Sequence, residues 1–402
     1  MRDPKSMNRK QNCVLIRTFF YIFGISYVAF IFLVSYRYLH TPYFLLKTDV
    51  ISFLTGAKII KEGNIGLLYD IETQFKYQNK VVTPYQKVLL PFRNFPVTAI
   101  FYTPLLNMNL KDSYGVVFAV NILLVVVFTI LTFRVFPDLK KNKIMYFVPF
   151  LFWPSVNNMI VGQYTPVILL IFLWIYVSSK EKKDFLSGLA TSLLVVKPQY
   201  LLFTPFALKL SVNKKNYLQG FIAGIIIFIL INTIISKGNI RLFMDYPKFI
   251  FSTESSMFGS RPNQMYTFYG LGNFYLPRID NSILLGANLF FYALVVGYVH
   301  IKKKINWNIN KIFTLGIAAT ILFSVHVLTH DLMILLLPVF IIISSETKPC
   351  LSKSWLILLL TGVLPLIQTR FLILLIMFYG IAVLYYENPH APKHHKNKLQ
   401  NT

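Results

Sequence analysis

KEKKDFLSGLATSLLVVKPQYLLFTPFALKLSVNKK, residues 180–215, is the stretch on which the architecture turns. An apolar run over 185–208 lies between two lysine clusters, KEKKD at 180–184 and KLSVNKK at 209–215. Short loops rich in lysine stay on the cytoplasmic side of a membrane, so a single crossing would leave one cluster on the wrong side. Lys197 and Pro198 interrupt the middle of the run. Proline has no N–H to continue a helical ladder, and non-helical backbone is tolerated at membrane depth only where protein or a wet cavity surrounds it. The reading is two short helices that fold back as a hairpin with Lys197 at its outer tip.

Further apolar stretches run over 14–36, 114–133, 144–156, 165–178, 217–236, 284–299, 311–325, 332–345, 354–366 and 371–386. With the hairpin in place, MRDPKSMNRK at 1–10, LKKNK at 139–143, KKK at 302–304, KPCLSK at 348–353 and KHHKNK at 393–398 all fall on the cytoplasmic side. The expected fold is all-α, a polytopic bundle of about ten to twelve membrane segments, each near the 20 residues a helix needs to span hydrocarbon. A basic cytoplasmic N-terminus at 1–13 would precede the membrane domain at 14–386, and a basic cytoplasmic tail at 387–402 would follow it. The first stretch ends in VSYRYLH, without the small residues of a cleavage site, so it is expected to remain as a membrane helix.

Composition supports this. Of 402 residues 55% are hydrophobic and 14% charged, against roughly a quarter charged in soluble domains. The mean hydropathy is +0.57. Forty Lys and Arg against fifteen Asp and Glu give a net charge of +25. The cations sit between apolar runs, which points to membrane lipids and away from nucleic acid. Cys13 and Cys350 are too far apart to suggest a ligand cluster or a disulfide framework. No metal or cofactor is expected, and no internal repeat of the kind found in many transporters is evident.

The chemistry-bearing side chains gather on the outer side, in loops over 37–112 and 237–283 and in turns at 157–163, around Lys197 and at 326–331. Charged groups near bilayer depth cost about 2.5–3.5 kcal/mol each on insertion scales, so they are functional candidates. In TDVISFLTGAKIIKEG, from Thr48, the apolar Val50, Phe53, Leu54, Ala57 and Ile60 have helical spacing that would lay one face on the membrane surface. Thr48 suits the N-cap and Gly63 the C-terminal stop. Asp49 then has two readings: a carboxylate favoured at the positive end of a helix, or a general base for a hydroxyl nucleophile.

Among other groups, His326 and His330 are four apart with Asp331 following. They read as substrate contacts, as helix-end packing, or as two metal ligands on one helical face without an evident third. Asp331 itself can simply start the next helix. There is no Walker-type phosphate loop, dinucleotide glycine fingerprint or Asp-x-Asp, which disfavours a nucleotide-sugar donor.

Asp49 in its amphipathic segment is followed in order by GNIGLLYD at 63–70, NFPVTAIFYTPL at 94–105 and VGQYTPVILL at 161–170. SGLATSLLVVKPQYLLFTP at 187–205, RPNQMYTFYGL at 261–271 and SVHVLTHDLMILLLP at 324–338 complete the series. This series resembles glycosyltransferase family 87, polyprenol-phosphate-sugar dependent mannosyltransferases of the GT-C membrane fold. Where that family tends to show Tyr-Pro-Pro, this chain has Phe95, Pro96 and Val97.

The resemblance implies transfer of a hexose, with mannose expected, from a polyprenyl phosphate to a glycolipid or glycan hydroxyl on the outer face of the cell membrane. Asp49 would be the catalytic base. A phosphate leaving group needs cations, which Lys197, His326, His330 and Arg261 would supply, with Arg278 an alternative to Arg261. The plainer readings are a snorkelling lysine and solvated loop arginines. Gln163, Tyr164, Asn263, Gln264 and Tyr69 would meet sugar or acceptor, although Tyr164, Tyr266 and Tyr269 also suit an aromatic belt or core. A translocator of lipid-linked glycans and a glycan polymerase or ligase are the alternatives. The enzymatic reading requires Asp49, Lys197 and an imidazole to meet in one pocket.

Overall fold

The computed structural model describes residues 25–38, 40–141, 143–253, 258, 262–301 and 308–344. The basic segments at 1–13 and 387–402, the beginning of the first apolar stretch, the stretches at 354–366 and 371–386, the lysine turns at 302–304 and 348–353, and Arg261 lie outside these residues.

The protein is mostly helical, with no strand among the described residues. Leu110–Val135, Lys214–Ile235 and Asn281–Ile301 are long and apolar enough to cross a membrane. Shorter apolar helices occupy Ile25–Tyr38, Thr165–Lys180, Asp184–Val196, Ile309–Phe323 and Thr329–Ser344. The stretch at 144–156 is not one segment. It divides into a 3-10 turn at Lys143–Tyr146, a single turn at Val148–Leu151 and the helix Trp153–Val161. Pro149 and Pro154 each stand in the first turn of a new piece, where a missing N–H costs nothing.

The segment at 184–213 folds back on itself. Its first arm is the helix Asp184–Ser192 with a 3-10 turn at Leu193–Val196, and its return arm is Pro198–Phe203 followed by Thr204–Leu210. Lys197, at φ −125° and ψ 88°, is the break. The two ends are tied by the buried Asp184 carboxylate, which accepts the Val212 N–H at 3.1 Å and the Asn213 N–H at 2.6 Å. The flanking lysine clusters therefore lie at one end of the hairpin and Lys197 at the other. Asn213 then caps the next helix, its side-chain oxygen accepting the Asn216 N–H at 3.1 Å.

Close backbone approach fixes the first arm against Lys214–Ile235. A Cβ on Gly188 would stand 1.9 Å from the Tyr217 carbonyl oxygen, and one on Gly220 would stand 2.0 Å from the Phe185 carbonyl oxygen. Small residues at such crossings allow the van der Waals contact that drives helix association where lipid removes the hydrophobic term.

The segment between Thr41 and Leu110 builds a separate apolar cluster around the helix Val50–Lys61. This helix does not lie with one face on the membrane surface. Val50 through Ala57 are all buried, enclosed by neighbouring parts of the same segment and by the start of Leu110–Val135. The face opposite the apolar stripe carries Ser52, Thr55 and Gly56, small enough to pack inward: a Cβ on Gly56 would stand 2.7 Å from the Phe92 ring. The stop is as expected. Gly63 has φ +80°, and the N–H groups of Gly63 and Asn64 return to Ile60 and Ile59 in a Schellman closure.

Two glutamines hold the rest of the segment. Gln74 accepts the Phe92 N–H at 2.8 Å and donates to Leu68 O at 2.6 Å; Gln78 accepts the Leu90 N–H at 2.7 Å and donates to Val88 O at 2.8 Å. Their side-chain amides supply the backbone partners that an extended, strand-free segment otherwise lacks.

Candidate functional site

The helix Trp153–Val161 ends in the turn that begins the site. Gly162 adopts φ +76°, and its N–H closes on Asn158 O at 2.9 Å. The Asn158 side chain donates to Gln163 O at 3.0 Å and accepts the Thr165 N–H at 3.3 Å, fixing the chain between two helices. A Cβ at Gly162 would sit 2.3 Å from Val50 Cγ2. Glycine is thus needed twice, for the left-handed backbone and for contact with the Val50 helix.

That contact delivers Asp49. Its N–H donates to Val161 O at 2.8 Å, and its carboxylate Oδ2 accepts the Gln163 Nε2–H at 2.8 Å. Asp49 occupies the cap position but makes no side-chain capping bond, and Thr48 turns its hydroxyl back to Leu45 O at 2.8 Å. Neither residue caps the helix through its side chain. The Asp49 residue remains partly accessible. The amide Oε1 of Gln163 is buried without a hydrogen-bond partner, an acceptor beside the carboxylate.

Lys197 closes the other side. Rather than snorkelling, it is buried at 7% exposure and paired with Asp331, Nζ to Oδ1 at 2.9 Å. Nζ also approaches Thr165 Oγ1 at 3.5 Å and lies 5.0 Å over the Tyr164 ring. Asp331 Oδ1 additionally accepts the Tyr200 hydroxyl at 2.8 Å. Its Oδ2 accepts the Leu328 N–H at 3.1 Å and faces His330 Nε2 at 3.5 Å. Asp331 lies in the first turn of the 3-10 helix Thr329–Leu335, and it also neutralises a cation from another element.

Tyr164 links the two halves. Its hydroxyl donates to Asn94 Oδ1 at 2.6 Å, its ring meets Phe53 edge-on at 5.7 Å, and Lys197 lies over its face. Tyr102 stacks on Phe53 at 4.5 Å. Burial, and after it the neighbouring Asp49 carboxylate, push the Tyr102 phenol above its ordinary range. Asp49, Asp331, Lys197 and His326 all lie within electrostatic reach of His330. Asp49, Gln163, Tyr164, Lys197, His330 and Asp331, from four distant stretches of chain, thus form one polar cluster.

The other sequence candidates fall differently. His326 precedes the Thr329–Leu335 turn in irregular backbone, so the two histidines do not share a helical face, although His326 is within electrostatic reach of His330. Among the described residues no three His, Cys, Asp or Glu side chains gather as a metal site would need. Tyr69 packs on Tyr246 and Phe249 and donates to Asn94 O at 2.9 Å, beside the cluster. Gln264 is exposed, Asn263 lies in the same short turn Pro262–Gln264, and Arg278 is exposed. Tyr266 is buried and its N–H donates to Val327 O at 2.9 Å, which fits the core reading.

Asn94, Thr165 and Tyr200 were not singled out by sequence, nor was the pairing of Asp331 with Lys197. Each is a neutral or helix-starting residue in an apolar context, and only the fold shows what it touches.

No curated protein and no solved structure matches the chain. The sequence model of glycosyltransferase family 87 matches residues 92–324, which include Gln163, Tyr164 and Lys197 and stop short of His330; Asp49 precedes the match. More than half of this mostly helical chain is covered, including the Gly162–Gln163 turn and the Lys197–Pro198 hairpin tip, and on that match the protein belongs to glycosyltransferase family 87.

Proposed function

We propose that this membrane glycosyltransferase transfers a hexose, mannose by preference, from a polyprenyl phosphate to a hydroxyl of a glycolipid or glycan on the outer face of the membrane. Asp49 accepts the proton of the acceptor hydroxyl as its oxygen attacks the anomeric carbon. The new C–O bond forms as the bond from that carbon to the phosphate oxygen breaks, and the electron pair leaves with polyprenyl phosphate. A β-linked donor gives an α-linked product by this single displacement.

The observation that carries the reading is the state of Asp49. Its carboxylate is not spent on a helix cap; it is oriented by Gln163 and shares a cluster with Lys197. Lys197 is the cation for the leaving phosphate, whose oxygen would replace the long Thr165 contact and the ring of Tyr164 while the Asp331 pair stays. His330 and His326 assist from the same side, and Arg261 is the candidate from the second outer loop. Gln163 Oε1, the Tyr164 region and the Asn263–Gln264 turn are candidates for sugar or acceptor hydroxyls, with Tyr69 supporting Asn94 beside them. The chain crosses the membrane about ten to twelve times, with both termini cytoplasmic.

The test is reconstituted protein given polyprenyl-phosphate mannose and extracted membrane lipid. Gain of one hexose mass by a lipid, lost in Asp49→Asn at equal protein level, supports the reading. Full transfer by Asp49→Asn excludes the base role. Lipid movement without a new glycosidic bond would instead identify a translocator.

A further inference from the structure

Asp331 has no part in the bond-making step above, yet it is the most heavily engaged buried carboxylate beside it. Its two oxygens serve the hairpin tip through Lys197, the return arm through Tyr200, and its own turn through Leu328 and His330. Three elements therefore immobilise this carboxylate. Lys197, by contrast, has one short partner; its other contacts, 3.5 Å to Thr165 and a ring face, are weak enough for a ligand oxygen to replace.

We infer that Asp331 is the positioning residue of the donor-phosphate site, anchoring the Lys197 ammonium at the hairpin tip and compensating its charge so that the phosphate product is released. The inference rests on the proposed phosphate role of Lys197. The donor is a phosphodiester with one negative charge, and the departing polyprenyl phosphate is a monoester that can carry a second. A lone buried ammonium would favour the product over the donor; one already shared with a fixed carboxylate discriminates less.

The experiment compares Lys197→Gln, Asp331→Asn and the double variant in reconstituted protein, with a short-chain prenyl phosphate as the product-like inhibitor. Asp331→Asn keeps the shape and frees the ammonium. It is expected to tighten inhibition by roughly tenfold while lowering kcat, a pattern that a purely structural role would not produce. Because Asp331 acts through Lys197, the double variant should turn over within about twofold of Lys197→Gln alone. That comparison decides even if Asp331→Asn fails to accumulate, since in Lys197→Gln the carboxylate keeps Tyr200, Leu328 and His330, and the double variant leaves no uncompensated buried charge. A further large loss in the double variant, or unchanged inhibition in Asp331→Asn, overturns the inference. Wild-type turnover by Lys197→Gln overturns the phosphate role of Lys197 itself, which is a distinguishable failure.

Discussion

The Asp49 carboxylate and the Gln163 amide stand 114 residues apart in the chain and 2.8 Å apart in space. A carboxylate has no donor of its own, so the amide must present its N–H, and this leaves Gln163 Oε1 buried and unpartnered on the other side. The bond engages Oδ2, so in the proposed reaction Oδ1 is the oxygen that would take up the proton. Gln163→Leu should lower kcat for hexose transfer by about tenfold to a hundredfold, the equivalent of the 1.5–3 kcal/mol of one hydrogen bond to a charged group. Turnover of the purified variant, set against its thermal unfolding, checks this; an unchanged kcat would show that Gln163 does not orient the base.

The absence of a capping bond makes Asp49 separable into its two readings. Replacing a functioning N-cap by alanine costs about 0.5–2 kcal/mol of stability. Here the carboxylate contacts Gln163 and no backbone N–H of its own helix. Asp49→Ala should therefore cost no more stability than Gln163→Leu, which removes the same bond, while losing at least about a hundredfold in transfer, the lower range for a general base. Chemical denaturation in detergent measures the first quantity and a radiolabelled-hexose assay the second. Lost stability with retained transfer would return Asp49 to the capping role.

Gly162 links local backbone to the site. Alanine there meets both a left-handed conformation, at φ +76°, and the Val50 side chain at 2.3 Å. The first costs about 1–2 kcal/mol and the overlap about 1–3 kcal/mol. Relief of the overlap would push the Val50 helix away and lengthen the bond from Asp49 N–H to Val161 O. Gly162→Ala is expected to lower both the unfolding midpoint and kcat. Unchanged values for both would mean that the turn does not hold the base.

What could be read from sequence divides along physical lines. The hairpin was legible because its evidence is one-dimensional: lysines at both ends and a proline after the lysine between them. Asp49, Lys197 and His330 stood out because charge near a bilayer is costly wherever it occurs. The lie of the Val50–Lys61 helix was not legible. Its apolar stripe was real, but Ser52, Thr55 and Gly56 opposite it are small rather than strongly polar, and the fold buries them too. The metal-ligand reading of His326 and His330 needs a shared helical face, and the helix begins only at Thr329. The partners of Lys197 and Asp49 lie 134 and 114 residues away, and side-chain pairing over such separations leaves no periodicity to detect.

The hairpin also makes a prediction of its own. Asp184 is buried and accepts both the Val212 and Asn213 N–H groups, so it joins the two ends of the arms whose turn carries Lys197. Asp184→Ala would leave those two donors without their acceptor, at about 1–3 kcal/mol for each that stays buried. Asn213 must meanwhile hold its position to cap the next helix through the Asn216 N–H. The loss should therefore spread into Lys214–Ile235, whose glycines pack on the first arm. The expected result is a lower unfolding midpoint and faster proteolysis at 209–215, with Asp184→Asn intermediate because its side-chain oxygen can still accept one bond. Equal stability of the alanine variant and the parent would mean that the hairpin is held by arm-to-helix packing alone.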